Sequence, residues 1–277
     1  MLRCLLVACV WAVLAPAPTV AAQVPASEYA ARRAAVAAHM QDGVLVALGA
    51  HEPREDYLSF YQTPSFYYLT GFAEPDAALV MVKRGGTVTA MLFVQPREPA
   101  REVWTGPRPG PEGAQRQTGM TARPIAALRP TLDSLLATLP QLYVVSDAAL
   151  NDDGGGSADA RYVAALRARH PKVTLTDLSP LVLQLRGRKS PAELALIRKA
   201  ADVTARAQRE AMRAIRPGLN EFEIQALIEY TFRRNGADRP SFATIVGSGP
   251  NSTTLHYSAD DRFMRDGEVV VMDIGAS

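Results

Sequence analysis

The chain has 277 residues, 48% of them hydrophobic and 21% charged, a balance that excludes disordered and fibrous classes. Lys and Arg number 30 against 28 Asp and Glu, and the net charge of +2 gives no electrostatic reason to expect nucleic acid as the partner. Both cysteines, Cys4 and Cys9, fall in the first ten residues, so the body of the chain has no disulfide framework, zinc finger or cysteine nucleophile. Any metal site must be built from carboxylates and the histidines His39, His51, His170 and His256.

The first 22 residues read as an address. A short basic start, Met1-Leu2-Arg3, precedes the apolar run Leu5–Leu14 and the small residues Val20-Ala21-Ala22 before Gln23. This is the layout of a secretory signal peptide cleaved after Ala22. The run is too short to span ~30 Å of hydrocarbon, which disfavours a membrane anchor. Leu6-Val7-Ala8-Cys9 loosely fits a lipobox, but too few residues precede the cysteine to form a signal segment. Export is expected, to a bacterial periplasm or the medium, where a fold without cysteines needs no oxidation. In that setting the sequon Asn251-Ser252-Thr253 reads as chance.

A length of this order predicts about two domains at ~150 residues each. Ser27 is expected to cap a helix running to Met40. Strands are predicted at Val44–Leu48, Phe66–Leu69, Ala78–Val82, Val88–Val94 and Leu142–Val145, each rich in β-branched or aromatic residues. Helices are predicted at Pro130–Leu139 and Ala158–Arg169. The alternation argues for an α/β layered domain. Pro107, Pro109 and Pro111 predict an irregular loop over Gly106–Gly113, and Asn151–Ser157 an exposed tip. Tyr57, Phe60, Tyr61, Phe66, Tyr67, Tyr68 and Phe72 concentrate aromatic surface in one stretch, suited to core packing, a subunit interface or a substrate wall. Core packing is the reading preferred for Phe66, Tyr68 and Phe72.

A boundary is expected near Thr176–Arg188, after which long capped helices take over. Ser190, Pro191 and Glu193 start one helix, whose apolar residues recur from Leu194 to Ile215 before Pro217-Gly218. Asn220 caps a second, with Glu223 three residues on and Gly236 at its end. Strands are predicted at Phe242–Val246 and Glu268–Ile274. The run Val269-Val270-Val271-Met272 has the pattern of a strand buried on both faces, which requires neighbours on both sides. Only Gly275-Ala276-Ser277 follows its end, so the pattern reads as a domain cut off in mid-fold.

Asp273 ends that apolar run. If buried and isolated, its charge would cost several kcal/mol, so two readings stay open: a carboxylate paired with a metal, or a strand-end Asp capping a turn. His256, after Gly247-Ser248-Gly249-Pro250, is either an imidazole delivered to a cleft or a surface loop histidine; the other three histidines read as structural. The glycine pair itself lacks the Lys and helix start of a phosphate loop.

Taken together, Arg239–Asn251, Leu255-His256-Tyr257, Met264-Arg265-Asp266-Gly267 and Met272-Asp273-Ile274-Gly275 resemble aminopeptidase P, the Xaa-Pro aminopeptidase branch of the pita-bread metallopeptidases. Phe66–Phe72 with Glu74-Pro75-Asp76, Glu102–Gly106 and Arg186–Glu193 resemble the N-terminal domain and interdomain junction of the same family. With the signal peptide read at 1–22, the resemblance implies an α/β aminopeptidase P N-terminal domain at 23–178, a linker at 179–189 and an incomplete pita-bread catalytic domain at 190–277. It implies a metallo-exopeptidase that removes an N-terminal residue preceding proline, with two divalent ions, Mn²⁺ expected and Co²⁺ or Zn²⁺ open. Such ions can activate a bridging water. Asp273 matches the first metal-ligating Asp; the other four ligands of the family set have no counterpart in this chain, which is therefore expected to be inactive alone. His256 matches a histidine that contacts substrate near the scissile bond, where it would stabilise the developing oxyanion. Trp104 matches a substrate-pocket tryptophan, often of a neighbouring subunit. The partners implied are peptides with proline second and further copies of the chain in a homo-oligomer, with neither nucleic acid nor, after signal cleavage, a membrane. The alternatives are a prolidase and a catalytically dead pita-bread binding module. A creatinase-like hydrolase, which works without metal, has no need of Asp273.

Overall fold

A computed structural model describes residues 24–55, 57–147 and 157–277. The signal-peptide segment 1–22 and positions 151–156 of the expected loop tip lie outside the described residues. The chain divides into two compact units, Val24–Leu194 and Ala195–Ser277.

The first unit is an α/β/α sandwich. Helix α1 (Ala26–Ala38) leads into strand β1 (Gly43–Leu48), followed by α2 (Pro64–Thr70), β2 (Ala78–Arg84) and β3 (Thr87–Val94). Then come α3 (Pro99–Thr105), α4 (Gly110–Thr118), β4 (Thr121–Pro124), α5 (Leu128–Leu136), β5 (Gln141–Val145), α6 (Ala158–Arg169), β6 (Thr174–Asp177) and α7 (Ser179–Gly187). The six strands form one mixed sheet in the order β4-β3-β2-β1-β5-β6. β2 is antiparallel to both β1 and β3, while the remaining pairs are parallel.

The two-residue period of a strand sends alternate side chains to opposite faces, and β1 separates its residues accordingly. Leu45 and Ala47 join Val36, Phe66, Leu69, Leu79 and Val182 in one core, beneath α1, α2 and α7. Val44 and Val46 join Val80, Phe93, Leu132, Leu142 and Leu166 in the other, beneath α5 and α6. Both faces are apolar, which is why β1 and β5 read as continuous hydrophobic runs. The β2–β3 hairpin turns on Gly85-Gly86, both with positive φ (57° and 81°), the conformation that a two-residue turn matched to strand twist requires.

Several expectations change. Phe66–Leu69 is helical, not extended: Pro64 starts α2, and Gly71 at φ 65° ends it in the left-handed conformation. Phe66 and Phe72 are fully buried and Tyr68 packs partly against the same core, while Tyr57 and Tyr67 are exposed. The expected loop 106–113 gives way at Gly110 to α4, with Pro111 in its first turn. The stretch 179–189 read as a linker is helical over Ser179–Gly187, because Pro180 sets its first turn and Val182 is buried in the first unit's core. Ser157 caps α6, accepting the Ala160 amide at 3.0 Å.

In the second unit, α8 (Pro191–Ala214) and α9 (Glu221–Arg234) pack Val203, Ala207, Ala211, Ile224, Ile228 and Phe232 against Val246 and Met264. The two strands, β7 (Ile245–Ser248) and β8 (Val270–Asp273), pair antiparallel, Ile245 opposite Asp273 and Ser248 opposite Val270. β8 is half exposed, Val271 at 42% and Val269 just before it at 68%, so the expectation of a strand buried on both faces fails. Only β7 flanks it among the described residues, and its outer face has nothing against it to bury. No helix among the described residues is long and apolar enough to cross a membrane.

Since Leu79 is fully buried in the middle of the sheet, Leu79→Ala should cost about 2–5 kcal/mol in denaturant unfolding. Val88→Ala, at a half-exposed position in β3, should stay within about 0.5 kcal/mol. Equal losses would place the core wrongly.

Candidate functional site

The loop carrying His256 begins where β7 ends. A Cβ at Gly247 would stand only 2.8 Å from the Asn251 carbonyl oxygen, so a glycine there lets the chain fold back as a 3-10 turn over Gly249–Thr253. The Gly249 amide donates to the Val269 carbonyl at 2.9 Å, tying the turn to the start of β8. His256 follows on an exposed segment and makes no hydrogen bond among the described residues. Its imidazole is therefore available to an external group.

Asp273 sits at the other end of the ladder, opposite Ile245, and is exposed. Asp273 is thus not a buried, isolated carboxylate: the outer face of β8 is open, and water can solvate the charge. Asp273 and His256 stand on the same two-stranded frame, but the His256 loop leaves it at the end remote from Asp273. Trp104 belongs to the first unit, on α3, a helix that buries none of its residues, and is 89% exposed. The three other histidines have structural partners. His39 caps α1 and pairs with the Ala35 carbonyl at 3.0 Å, His51 meets Asp76 at 2.7 Å, and His170 meets Asp133 at 2.8 Å.

No group of three or more His, Cys, Asp or Glu side chains among the described residues could hold a metal ion. A single exposed carboxylate cannot replace the hydration shell of one divalent ion, still less hold two. The residues present therefore do not fit a two-ion centre.

The most ordered polar assembly in this unit centres on Glu221, fully buried at the first turn of α9. Its carboxylate accepts from five groups: the Ser248 amide (2.6 Å) and hydroxyl (2.7 Å), the Asn251 amide group (3.2 Å), the Tyr257 hydroxyl (2.8 Å) and the Arg262 amide (3.1 Å). Burial alone would push this carboxyl up, but the donors outweigh it and hold it below the ordinary range. Beside it the Arg262 guanidinium grips Glu268 bidentately at 2.5 and 2.6 Å and donates to Ser248 Oγ at 2.9 Å. Those bonds hold the Glu268 carboxyl down at about 2. The sequence reading missed Glu221. A Glu beginning a helix is ordinarily a solvated residue that favours the helix dipole, and nothing local separates a buried one from that majority. The only cue was its place beside the cap Asn220.

Residues 29–143 match the aminopeptidase P N-terminal domain model, and residues 195–277 match metallopeptidase family M24. The Xaa-Pro aminopeptidase of Escherichia coli K12 is 33% identical over 91% of this chain and 59% of its own. That of Haemophilus influenzae is 34% identical over 92% of this chain and 58% of its own. A solved structure of Escherichia coli aminopeptidase P with the inhibitor Pro-Leu superposes with a TM-score of 0.83 at 32% identity, covering 92% of this chain and 60% of that one. In sequence and fold the chain belongs to the aminopeptidase P branch of the M24 metallopeptidases. Its fold is accordingly an aminopeptidase P N-terminal α/β domain joined to part of an M24 pita-bread domain. The chain spans about three-fifths of the length of the curated relatives it matches.

The lowered carboxyls carry a pH signature. A group depressed in the folded state contributes stability above its unfolded value, and that contribution is lost as pH falls through the folded one. For Glu268 the window runs from the ordinary 4.5 down to about 2. Glu268→Gln should therefore melt below the parent chain at pH 6, and the gap should close as pH falls toward 2. A gap that persists unchanged at pH 2 would show that the ion pair is not its source.

Proposed function

We propose that this chain is the N-terminal portion of a metal-dependent aminopeptidase that releases an N-terminal residue preceding proline. The observation that carries the proposal is agreement with the Escherichia coli enzyme over nine-tenths of the chain, in both sequence and fold. The substrates are peptides with proline second. The Xaa-Pro bond has no N–H, so an enzyme that cleaves it must recognise its substrate without that donor.

In this reading His256 acts on the substrate. Its imidazole is exposed and has no partner among the described residues, which leaves a ring N–H to donate to the scissile carbonyl oxygen as negative charge develops there. Asp273 is assigned as one metal ligand. The residues described here do not complete a metal centre, and the other ligands would come from the rest of an M24 domain. Mn²⁺ is the preferred ion for a carboxylate-rich set with one imidazole. Trp104, on an exposed helix, is suited to line the substrate pocket of an assembled oligomer. Export with cleavage after Ala22 completes the proposal; N-terminal sequencing of secreted protein should start within a residue or two of Gln23. Mature protein that retains Leu5–Leu14 would overturn the localisation.

Residues 23–277 alone should not hydrolyse Xaa-Pro peptides. A polypeptide extended through the rest of an M24 domain should do so in a metal-dependent way, and Asp273→Ala should abolish that activity. His256→Ala should lower kcat by about 10²–10³-fold, the scale of losing one oxyanion donor, with metal content unchanged. Robust turnover by residues 23–277 would contradict the assignment.

A further inference from the structure

We propose that Glu221 is a positioning residue which, through Tyr257 and Asn251, fixes the loop that presents His256. The inference rests on the role given to His256 above. The geometry is a closed clamp. Asn251 and Tyr257 stand at the two ends of the segment that contains His256, and both reach Glu221. The Tyr257 hydroxyl donates to Glu221 Oε2 at 2.8 Å and accepts from Asn251 Nδ2 at 2.8 Å. Asn251 Nδ2 also lies 3.2 Å from Glu221 Oε1. The loop is thus pinned at both feet to a buried side chain that is itself bonded to Ser248 at the end of β7.

The intervening residues have little else to hold them. Thr253, Thr254, Leu255 and His256 are exposed, and Leu255 is 86% exposed. The Thr254 amide donates to the Asn251 carbonyl at 3.1 Å, a bond inside the loop that does not tie it to the unit. The Ser252 and Thr253 hydroxyls donate to the Gly249 and Pro250 carbonyls at 2.6 and 2.8 Å, holding the start of the segment to the turn. Among the described residues nothing apolar anchors 254–256, so their position is set by the two polar feet. A hydroxyl donates only one proton, and Glu221 takes it in preference to Asp261 Oδ1, which is farther at 3.2 Å. Burial, and then the bond to Glu221, push the Tyr257 hydroxyl up to about 12, so it remains a donor at any physiological pH.

Positioning matters because a misplaced hydrogen-bond donor loses most of its effect on a transition state. A clamp on the residue next to His256 fixes where the imidazole starts from while leaving the ring without a partner among the described residues.

The test uses Tyr257→Phe, which deletes one oxygen and leaves the ring. In the 277-residue chain, NMR relaxation should give backbone order parameters near 0.85 at 254–258 in the parent and below about 0.6 in the variant. Amide exchange protection in β7, β8 and α9 should be retained. Glu221→Gln should loosen the same loop, and Glu268→Gln, which leaves the clamp intact, should not. Order parameters at 254–258 unchanged in Tyr257→Phe would overturn the proposal. So would loss of protection across β7, β8 and α9, which would make the hydroxyl a general strut. In the extended, active polypeptide Tyr257→Phe should lower kcat tenfold or more with KM within twofold. A parent that shows no Xaa-Pro turnover there would refute the functional reading, while the order parameters would still decide the clamp.

Discussion

A carboxylate removed from water must be matched by donors or it gives up its charge. In the second unit that requirement falls on Glu221. Five donors converge on it from the end of β7, the turn after it, the following loop and the start of the return toward β8. Those segments share little apolar surface, so the carboxylate gives them a common reference point. Removing it would leave the two buried Ser248 donors unpaired, at about 1–3 kcal/mol each. Its neighbour Glu268, locked to Arg262, extends the same polar layer to the foot of β8. The α8–α9 packing supplies the burial, and the charge network decides how the loop stands on it.

The first unit is governed by a different constraint. Its sheet is covered on both faces, and the alternation of Leu45 and Ala47 with Val44 and Val46 divides the apolar side chains between two cores. Such strands announce themselves as unbroken hydrophobic runs, and β1, β2 and β5 were legible for that reason, β3 through its apolar second half, residues 90–94. So were the caps that begin α8 and α9, where Ser190–Glu193 and Asn220–Glu223 form reciprocal bonds. Phe66-Tyr67-Tyr68-Leu69 misled because aromatic residues favour strands, while a proline before them and a left-handed glycine after them made a helix. The segment 179–189 reads as a linker because Arg186–Glu193 resemble the family's interdomain junction, yet Val182 ties its helix into the core.

The candidate site was legible to a different degree. The Gly-rich turn was seen as the device that delivers His256, and Gly247 does let the backbone double back. Asp273 was singled out by supposed burial, which the half-exposed β8 does not provide; its assignment as a ligand rests on the motif Met272-Asp273-Ile274-Gly275 alone. Glu221 could not be found at all, since its importance is created by partners 27 to 41 residues away in sequence. Local patterning finds elements and caps well. It does not find a polar hub whose partners assemble only in the tertiary fold.

Metal stoichiometry bears most directly on the central claim that this chain holds one ligand of a larger centre. Titrating Mn²⁺ into purified residues 23–277 by calorimetry, with metal content checked by mass spectrometry, should reveal no stoichiometric site, and Asp273→Ala should leave the trace unchanged. Two ions bound per chain, lost in Asp273→Ala, would contradict the account.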